Sequence, residues 1–252
     1  MSGYDHYDNK VDIDGRDAMD FYAHLASAAY YGNDNDAKEK YLDDELGEGH
    51  GWEIDGELSN MDRTIYRKKK KEGEGYNVVM SNRGTDLGNE TKNRMRNAYA
   101  DASIFFGAEP RHKRFKEANS DFLKMREKYG TDSNYAVSGH SLGGSQSMYL
   151  NRRYGVENHA LNPGASFSHL GKGVLSRAMC WANPNWSSCK AAENSTIYHT
   201  MGDPVSTASL AGRDSKVLTN SDGALIQKEV GKVARYNPHG LEHFYKKYQK
   251  KK

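Results

Sequence analysis

The stretch YAVSGHSLGG, residues 135–144, decides how this chain folds. Its first part, Tyr135 to Ser138, is a short apolar run of the kind that forms a buried strand. A helical pattern from Leu142 to Tyr154 follows almost at once. The motif Gly-His-Ser-Leu-Gly spans the junction, and only residues 139–141 separate the strand from the helix, so the turn must be tight. The sequence therefore predicts a strand–turn–helix unit with Ser141 at the turn.

Strand and helix patterns alternate around this unit. Helical patterns predict helices at 18–29, 115–129 and 142–154, together with a polar helix at 34–46 and a basic helix at 241–250. Runs typical of strands predict strands at 64–67, 76–81, 135–138, 157–161 and 195–201. This alternation is typical of an α/β domain with a mainly parallel central sheet flanked by helices. A Gly-x-Ser-x-Gly turn in that setting is typical of the α/β-hydrolase fold. We expect a flexible arm over 1–14 and one such domain over 15–252.

Composition restricts the class of protein more than its activity. Hydrophobic residues make up 36% of the chain, the mean hydropathy is −0.93 and the formal charge is only +2. No run approaches the roughly 18 apolar residues of a membrane span, and the first ten residues do not resemble a secretory signal. We therefore expect a soluble, cytoplasmic protein. Two cysteines, Cys180 and Cys189, leave both a disulfide and a reduced pair open.

The chemistry expected at Ser141 follows from its turn. A serine there is held in a strained backbone conformation that exposes its hydroxyl at the carboxyl edge of the sheet. The glycines at 139 and 143 are required because a Cβ would collide with the neighbouring strand and helix. The N–H of Leu142, at the start of the helix, is placed to stabilise an oxyanion. The alternative is a glycine-rich turn that merely connects a strand to a helix.

A serine nucleophile needs a general base downstream in this fold. Two histidines lie well after Ser141, namely His239 and His243. His239 follows Asn-Pro and so lies on a loop entering the last predicted helix, whereas His243 would lie one turn inside that helix. A base must reach the serine from a loop over the sheet edge. We therefore favour His239.

The base in turn needs a carboxylate to orient it, and in this fold the acid lies between the serine and the histidine. Asp203 directly follows the predicted strand 195–201, and Gly202 and Pro204 force a turn around it. A catalytic acid of this fold belongs at such a strand end. The other acidic candidates in the interval are Glu157, Glu193, Asp214, Asp222 and Glu229.

On these residues the chain resembles the class 3 lipases, the fungal-lipase type of α/β-hydrolase. VVMSNRGT at 78–85 is similar to the family's strand that ends in Arg-Gly-Ser/Thr, and GHSLGG at 139–144 is its nucleophile turn. NPG at 162–164, DPV at 203–205 and the motif from 239 to 244 also resemble family segments. His112 and Phe115 fit another family motif, although Arg114 stands where glycine is usual.

The resemblance implies a carboxylic-ester hydrolase acting on lipids, with Ser141, Asp203 and His239 as its triad. It also implies an oxyanion donor at Thr85, beside the N–H of Leu142, and no metal or organic cofactor. Segment 87–97 stands where the fungal enzymes carry an apolar lid, and here it is polar. The sequence leaves lipase, phospholipase and esterase open, as well as thioesterase, peptidase and acyltransferase chemistry.

Two alternative hypotheses assign the chain a function other than serine-ester hydrolysis. His239-Gly240-Leu241-Glu242-His243 spells a zinc-protease pattern, but Gly240 weakens the helix that such a site needs and no acidic ligand follows. The second alternative is a hydrolase fold kept as a silent binding or structural module. Against it stands the presence of the whole predicted triad in the right order.

Two basic runs remain, 67–71 and 246–252. Each is expected to be solvated, as a hairpin tip and a frayed tail. Their alternative function is peripheral contact with anionic phospholipid. The residues of the first run are Arg67, Lys68, Lys69, Lys70 and Lys71. Contact with nucleic acid is not favoured, although Tyr245 and Tyr248 adjoin the lysine-rich tail.

Overall fold

A computed structural model describes residues 10–85, 113–164, 194–201, 225–232 and 240–245. Within these residues the chain forms four α-helices: α1 (Ala18–Ala28), α2 (Asn35–Leu46), α3 (Lys113–Tyr129) and α4 (Leu142–Tyr154). It also forms seven strands: β1 (Glu53–Ile54), β2 (Arg63–Lys69), β3 (Tyr76–Asn82), β4 (Asn134–His140), β5 (Glu157–Leu161), β6 (Ser195–Met201) and β7 (Leu225–Lys232).

The strands make one sheet in chain order, from β1 to β7. β1 and β2 are antiparallel to their neighbours, whereas β3 to β7 pair in parallel. Asn82 of β3 lies beside Gly139 of β4, and Leu161 of β5 lies between His140 and Tyr198. The carboxyl ends of β3 to β6 therefore share one edge of the sheet. The predicted α/β class with a mainly parallel sheet is confirmed.

Helices cover both faces of the sheet, because the side chains of buried strands alternate between them. On β3 and β4, Val79 and Ala136 pack with α1 and α2. Their strand neighbours face the opposite layer, α3 and α4; these are Val78, Met80, Tyr135 and Val137. The core is thus divided by the sheet into two apolar layers, and the central strands are buried on both sides.

Capping side chains set where the first two helices begin. Asp17 accepts a hydrogen bond from the N–H of Asp20 at 3.1 Å, and Asp34 accepts one from Ala37 at 2.9 Å. Each carboxylate satisfies a backbone donor that a helix start leaves without a partner. A 3₁₀ turn, Ala29–Tyr31, follows α1 and ends at Gly32, which has φ of 64°. The predicted helices at 18–29 and 34–46 are confirmed within one residue at each end.

Part of the expected N-terminal arm is packed on the domain. Val11 is buried against the α1 layer, and its N–H donates to Glu157 at 2.9 Å. Asp14 forms an ion pair with Lys68 at 2.6 Å. Residues 10–14 therefore belong to the folded body, because they cover core surface and pair with its charges. Residues 1–9 lie outside the described part of the chain.

The expected C-terminal helix over 241–250 is wrong at its start. Leu241–Phe244 form a 3₁₀ turn, and Tyr245 has an extended backbone with φ of −73° and ψ of 130°. Phe244 is fully buried beside α1, while the ring of Tyr245 stacks on His24. These contacts with α1 accompany the extended backbone at Tyr245. Residues 246–252 lie outside the described part.

In the part of the chain that the structure describes, no helix has the length and apolarity to cross a bilayer.

Candidate active site

Ser141 lies between the last residue of β4 and the first residue of α4, as the sequence predicts. Its backbone has φ of 56° and ψ of −124°. Residues with a side chain rarely adopt this conformation, and it costs on the order of 1–3 kcal/mol. The hydroxyl of Ser141 does not cap α4. A strained serine that does no structural work at its helix is the arrangement expected of a nucleophile.

Close packing explains the glycines around this turn. A Cβ at Gly139 would lie 2.5 Å from the backbone of Gly143 and 2.7 Å from the carbonyl oxygen of Asn82. A Cβ at Gly143 would overlap that same carbonyl. Strand β3, strand β4 and helix α4 therefore meet at a point where no side chain fits. The predicted steric need for glycine at 139 and 143 is confirmed.

Hydrogen bonds tie the turn to the loop after β5. The N–H of Ser141 donates to Leu161 at 3.1 Å, and the carbonyl of Ser141 accepts from Gly164 at 3.0 Å and from Ser145 at 3.2 Å. The hydroxyl of Ser145 donates to the carbonyl of Gly164 at 2.7 Å. The strained conformation is thus held by bonds on both sides of the peptide rather than by the serine side chain.

The two predicted oxyanion residues lie next to the turn. Leu142 is the first residue of α4, so its N–H points out of the helix start and carries the positive end of the helix dipole. Thr85 follows Gly84, three residues after the last residue of β3, and is half-buried. A Cβ at Gly84 would lie 3.2 Å from the Cβ of Ser141 and 2.7 Å from the carbonyl oxygen of His140. The segment that carries Thr85 therefore runs against Ser141.

Arg114 fixes this segment from the side of α3. Its guanidinium donates to the carbonyl of Arg83 at 3.0 Å and to the carboxylate of Asp62 at 2.9 Å. The N–H of Arg83 donates to the carbonyl of Asp62 at 2.9 Å. Burial lowers the pKa of Arg114, and the charge of Asp62 opposes that effect. Arg114 thus anchors the chain just before Gly84 and Thr85.

Tyr30 holds the segment from the other side, and sequence reasoning did not find it. Its hydroxyl lies 2.8 Å from Nδ1 of His140, the residue before Ser141, and it contacts Gly84. The two bonded residues are 110 positions apart. No local pattern around Tyr30 distinguishes it from its neighbour Tyr31, so the sequence carries no signal for this contact.

Asn162 links the loop after β5 to the end of β6. Its side-chain oxygen accepts from the N–H of Thr200 at 2.8 Å, and its amide nitrogen donates to the hydroxyl of Thr200 at 3.1 Å. Asn162 has φ of 39°, a left-handed conformation that asparagine tolerates. The end of β6 is therefore fastened to the loop that holds Ser141. Asp203, the predicted acid, comes two residues after β6 and lies outside the described residues.

The segment after the predicted base is fastened to α1. Gly240 is buried, and Phe244 packs in a cluster with Ala23, Ala26 and Leu161. The hydroxyl of Tyr245 bonds to Ser27. His239 itself and the side chain of His243 lie outside what the structure describes. Gly240, which directly follows His239 in the chain, thus belongs to a segment that packs against the end of β5.

One alternative acid is placed far from Ser141. Glu157 begins β5, so it lies at the amino edge of the sheet. Its carboxylate accepts from Val11 at 2.9 Å and lies 2.9 Å from Nε2 of His159. Glu157 is therefore excluded as a partner of Ser141. Glu193, Asp214 and Asp222 lie outside the described residues. In the described ranges, no group of three or more His, Cys, Asp or Glu could hold a metal ion.

The basic run 67–71 also lies at the amino edge. Lys69 pairs with Tyr76, the first residue of β3, whereas Ser141 is level with the end of that seven-residue strand. At about 3.3 Å per residue, the run and Ser141 are roughly 20 Å apart. Arg67 pairs with Glu53 at 3.1 Å, and Lys68 and Lys71 each lie 2.6 Å from Asp14. Three of the five charges are thus paired within the chain.

A search of protein-family models and a search of curated proteins find no match to this chain.

Proposed function

We propose that this protein is a serine hydrolase of the α/β-hydrolase fold that cleaves carboxylic esters. The observation that carries the proposal is the backbone of Ser141, with φ of 56° and ψ of −124° at the turn from β4 into α4. Strain of this kind persists only where the surrounding structure enforces it, and it clusters at functional sites. A connecting turn has no need of a strained serine with packed glycines on both sides.

The proposed reaction follows the acyl-enzyme route. His239 takes the proton of the Ser141 hydroxyl, and Asp203 keeps the imidazole in the required tautomer. The serine oxygen attacks the ester carbonyl, and the N–H of Leu142 and Thr85 stabilise the oxyanion. The tetrahedral intermediate then collapses, His239 protonates the leaving alcohol and an acyl-enzyme forms. Water, activated by His239, attacks that ester and releases the acid and the free serine.

Two fastened segments support these roles for Asp203 and His239. The bonds from Asn162 to Thr200 fix the chain three residues before Asp203, at the edge where Ser141 lies. The packing of Phe244 beside Leu161 fixes the chain shortly after His239, and Leu161 accepts the hydrogen bond from Ser141. Both segments therefore lead from the region of the nucleophile, which is what a triad requires.

We further propose a lipid-related ester as the substrate class, on the resemblance to the class 3 lipases. Segment 87–97, where the family has its lid, lies outside the described residues. Contact of residues 67–71 with anionic phospholipid is a separate proposal. Because this run lies at the edge opposite Ser141, such contact would tether the protein without turning the nucleophile toward the surface.

The deciding experiment measures hydrolysis of p-nitrophenyl esters of graded acyl length by the wild type, by Ser141→Ala and by Ser120→Ala. Ser120 is an exposed serine of α3 and serves as the matched control. We expect a loss of about a thousandfold or more for Ser141→Ala, as for other nucleophile knockouts, and wild-type rates for Ser120→Ala. A fluorophosphonate probe should label the wild type and the control but not Ser141→Ala.

An inactive wild type that also resists the probe would reject the hydrolase assignment and favour the silent binding module. Turnover that survives in Ser141→Ala would instead reject Ser141 as the nucleophile. The dependence of rate on acyl length separates esterase from lipase.

A further inference from the structure

The hydroxyl of Tyr30 occupies a point where three parts of the candidate site meet. Tyr30 lies in the 3₁₀ turn after α1, and its hydroxyl is 2.8 Å from Nδ1 of His140. The space in which Gly84 would carry a Cβ is bounded by this hydroxyl, by the carbonyl of His140 and by the Cβ of Ser141. Tyr30 therefore touches the segment before Thr85 on the side that faces the nucleophile.

The same segment is anchored on its other side by Arg114 and Asp62. That anchor fixes the carbonyl of Arg83 and leaves the approach of Gly84 toward Ser141 to other contacts. Tyr30 provides such a contact, since its hydroxyl bonds to the residue before Ser141 while it packs on Gly84. Arg114 thus contacts Arg83 and Tyr30 contacts Gly84, the two residues that directly precede Thr85.

We propose that Tyr30 and His140 act as a positioning pair, which holds residues 83–85 at the distance from Ser141 that oxyanion stabilisation requires. The inference rests on the proposed function and adds two residues to it. Oxyanion donors act only within hydrogen-bond distance of the developing charge. A displacement of about 1 Å in such a site costs roughly a hundredfold in rate.

The chemistry of the pair makes it robust to the protonation state of His140. A phenol both donates and accepts, so Tyr30 donates to Nδ1 of one neutral tautomer and accepts from Nδ1–H of the other or of the imidazolium. Phenylalanine at position 30 removes the bond in every state while it keeps the ring. The Tyr30→Phe variant therefore separates the hydrogen bond from the packing.

The test compares Tyr30→Phe with Tyr31→Phe, a matched control in the same turn whose residue is 47% exposed. We expect kcat of Tyr30→Phe to fall ten- to a hundredfold with KM changed less than twofold. The rate of fluorophosphonate labelling should fall by the same factor, and Tyr31→Phe should match the wild type. A change in KM alone would show that Tyr30 merely lines the substrate pocket, and it would overturn the inference.

Variants at His140 supply the second measurement. His140→Ala should lower kcat as Tyr30→Phe does, and His140→Gln, which keeps a group able to bond the phenol, should recover part of the loss. The double variant Tyr30→Phe/His140→Ala should be no worse than either single variant, because paired residues are not additive. Losses that multiply would overturn the pair as a unit.

The two hypotheses fail in different ways. If the wild type neither turns over esters nor reacts with the probe, the proposed function fails. If the wild type is active and Tyr30→Phe equals Tyr31→Phe, the hydrolase assignment stands and the positioning pair is refuted. The ¹⁵N chemical shifts of the His140 ring give a readout that does not depend on activity. Loss of the hydrogen bond in Tyr30→Phe should change the chemical shift of Nδ1.

Discussion

Replacing Ser141 by glycine should make the protein more stable while it abolishes the proposed activity. At φ of 56° and ψ of −124°, a residue with a side chain pays on the order of 1–3 kcal/mol that glycine does not. Glycine loses about 0.5–1 kcal/mol more backbone entropy on folding than alanine. The Ser141→Gly variant should therefore be more stable than Ser141→Ala by about 1 kcal/mol, the difference between the middles of these two ranges. Because the serine hydroxyl makes no capping bond to α4, either substitution leaves that helix start unchanged.

Urea and thermal unfolding, followed by circular dichroism and by tryptophan fluorescence, to which the buried Trp52 contributes, provide the assay. In a chain of this size, 1 kcal/mol shifts Tm by about 2–4 °C. Ser120 provides the internal control, because it lies exposed within α3. In the interior of a helix alanine is more favourable than glycine by about 1 kcal/mol, so Ser120→Ala should be more stable than Ser120→Gly, the reverse of the order at position 141.

The reasoning is refuted if Ser141→Gly proves no more stable than Ser141→Ala while the Ser120 pair behaves as expected. That result would mean that the turn around Ser141 relaxes without strain, and the main support for a nucleophile would be lost.

Two further predictions concern buried groups. Burial lowers the pKa of Lys38 from its ordinary value of 10.5 to about 8. Between these two pH values Lys38 is protonated in the unfolded chain but not in the native state. The free energy of unfolding should therefore rise as the pH increases from about 8 to 10.5. Unfolding at pH 7 and pH 10 should show that Lys38→Met is more stable than wild type, chiefly at pH 7, whereas the exposed Lys40→Met shows no such difference. Phe244→Ala should cost about 3–5 kcal/mol in urea unfolding, because the ring is fully buried, and should lower turnover by loosening the chain after His239. An unchanged rate in a stably folded Phe244→Ala protein would separate this segment from the active site.

The sequence predicts most of the helices and strands because the spacing of their apolar residues matches the faces that are buried in the fold. Helix α4 and strands β5 and β6 lie at their predicted bounds, and the turn at Ser141 has the expected strain. The glycine requirement at 139 and 143 also follows from local chain geometry. These features depend on residues close in sequence, so a single chain contains the information for them.

Contacts between distant residues could not be predicted in this way. β7 reads Leu-Ile-Gln-Lys-Glu-Val-Gly-Lys, which has neither a continuous apolar run nor a clean alternation. The Tyr30 to His140 bond and the anchor at Arg114 join residues far apart in the chain. The helix predicted over 241–250 is wrong at its start for the same reason. Phe244 and Tyr245 pack against α1, and the local sequence pattern does not indicate these contacts.

The order of the sheet also bears on how the chain is made. Strands β1 to β7 lie side by side in the sequence in which they are synthesised, so each new strand pairs with the one before it and none must be inserted between two others. Growth from one side exposes a fresh row of backbone donors and acceptors after every addition. Until the next strand arrives, that row is a template for the wrong partner. A chain released only as far as β5 would present such an edge at β5, where β6 pairs in the finished sheet.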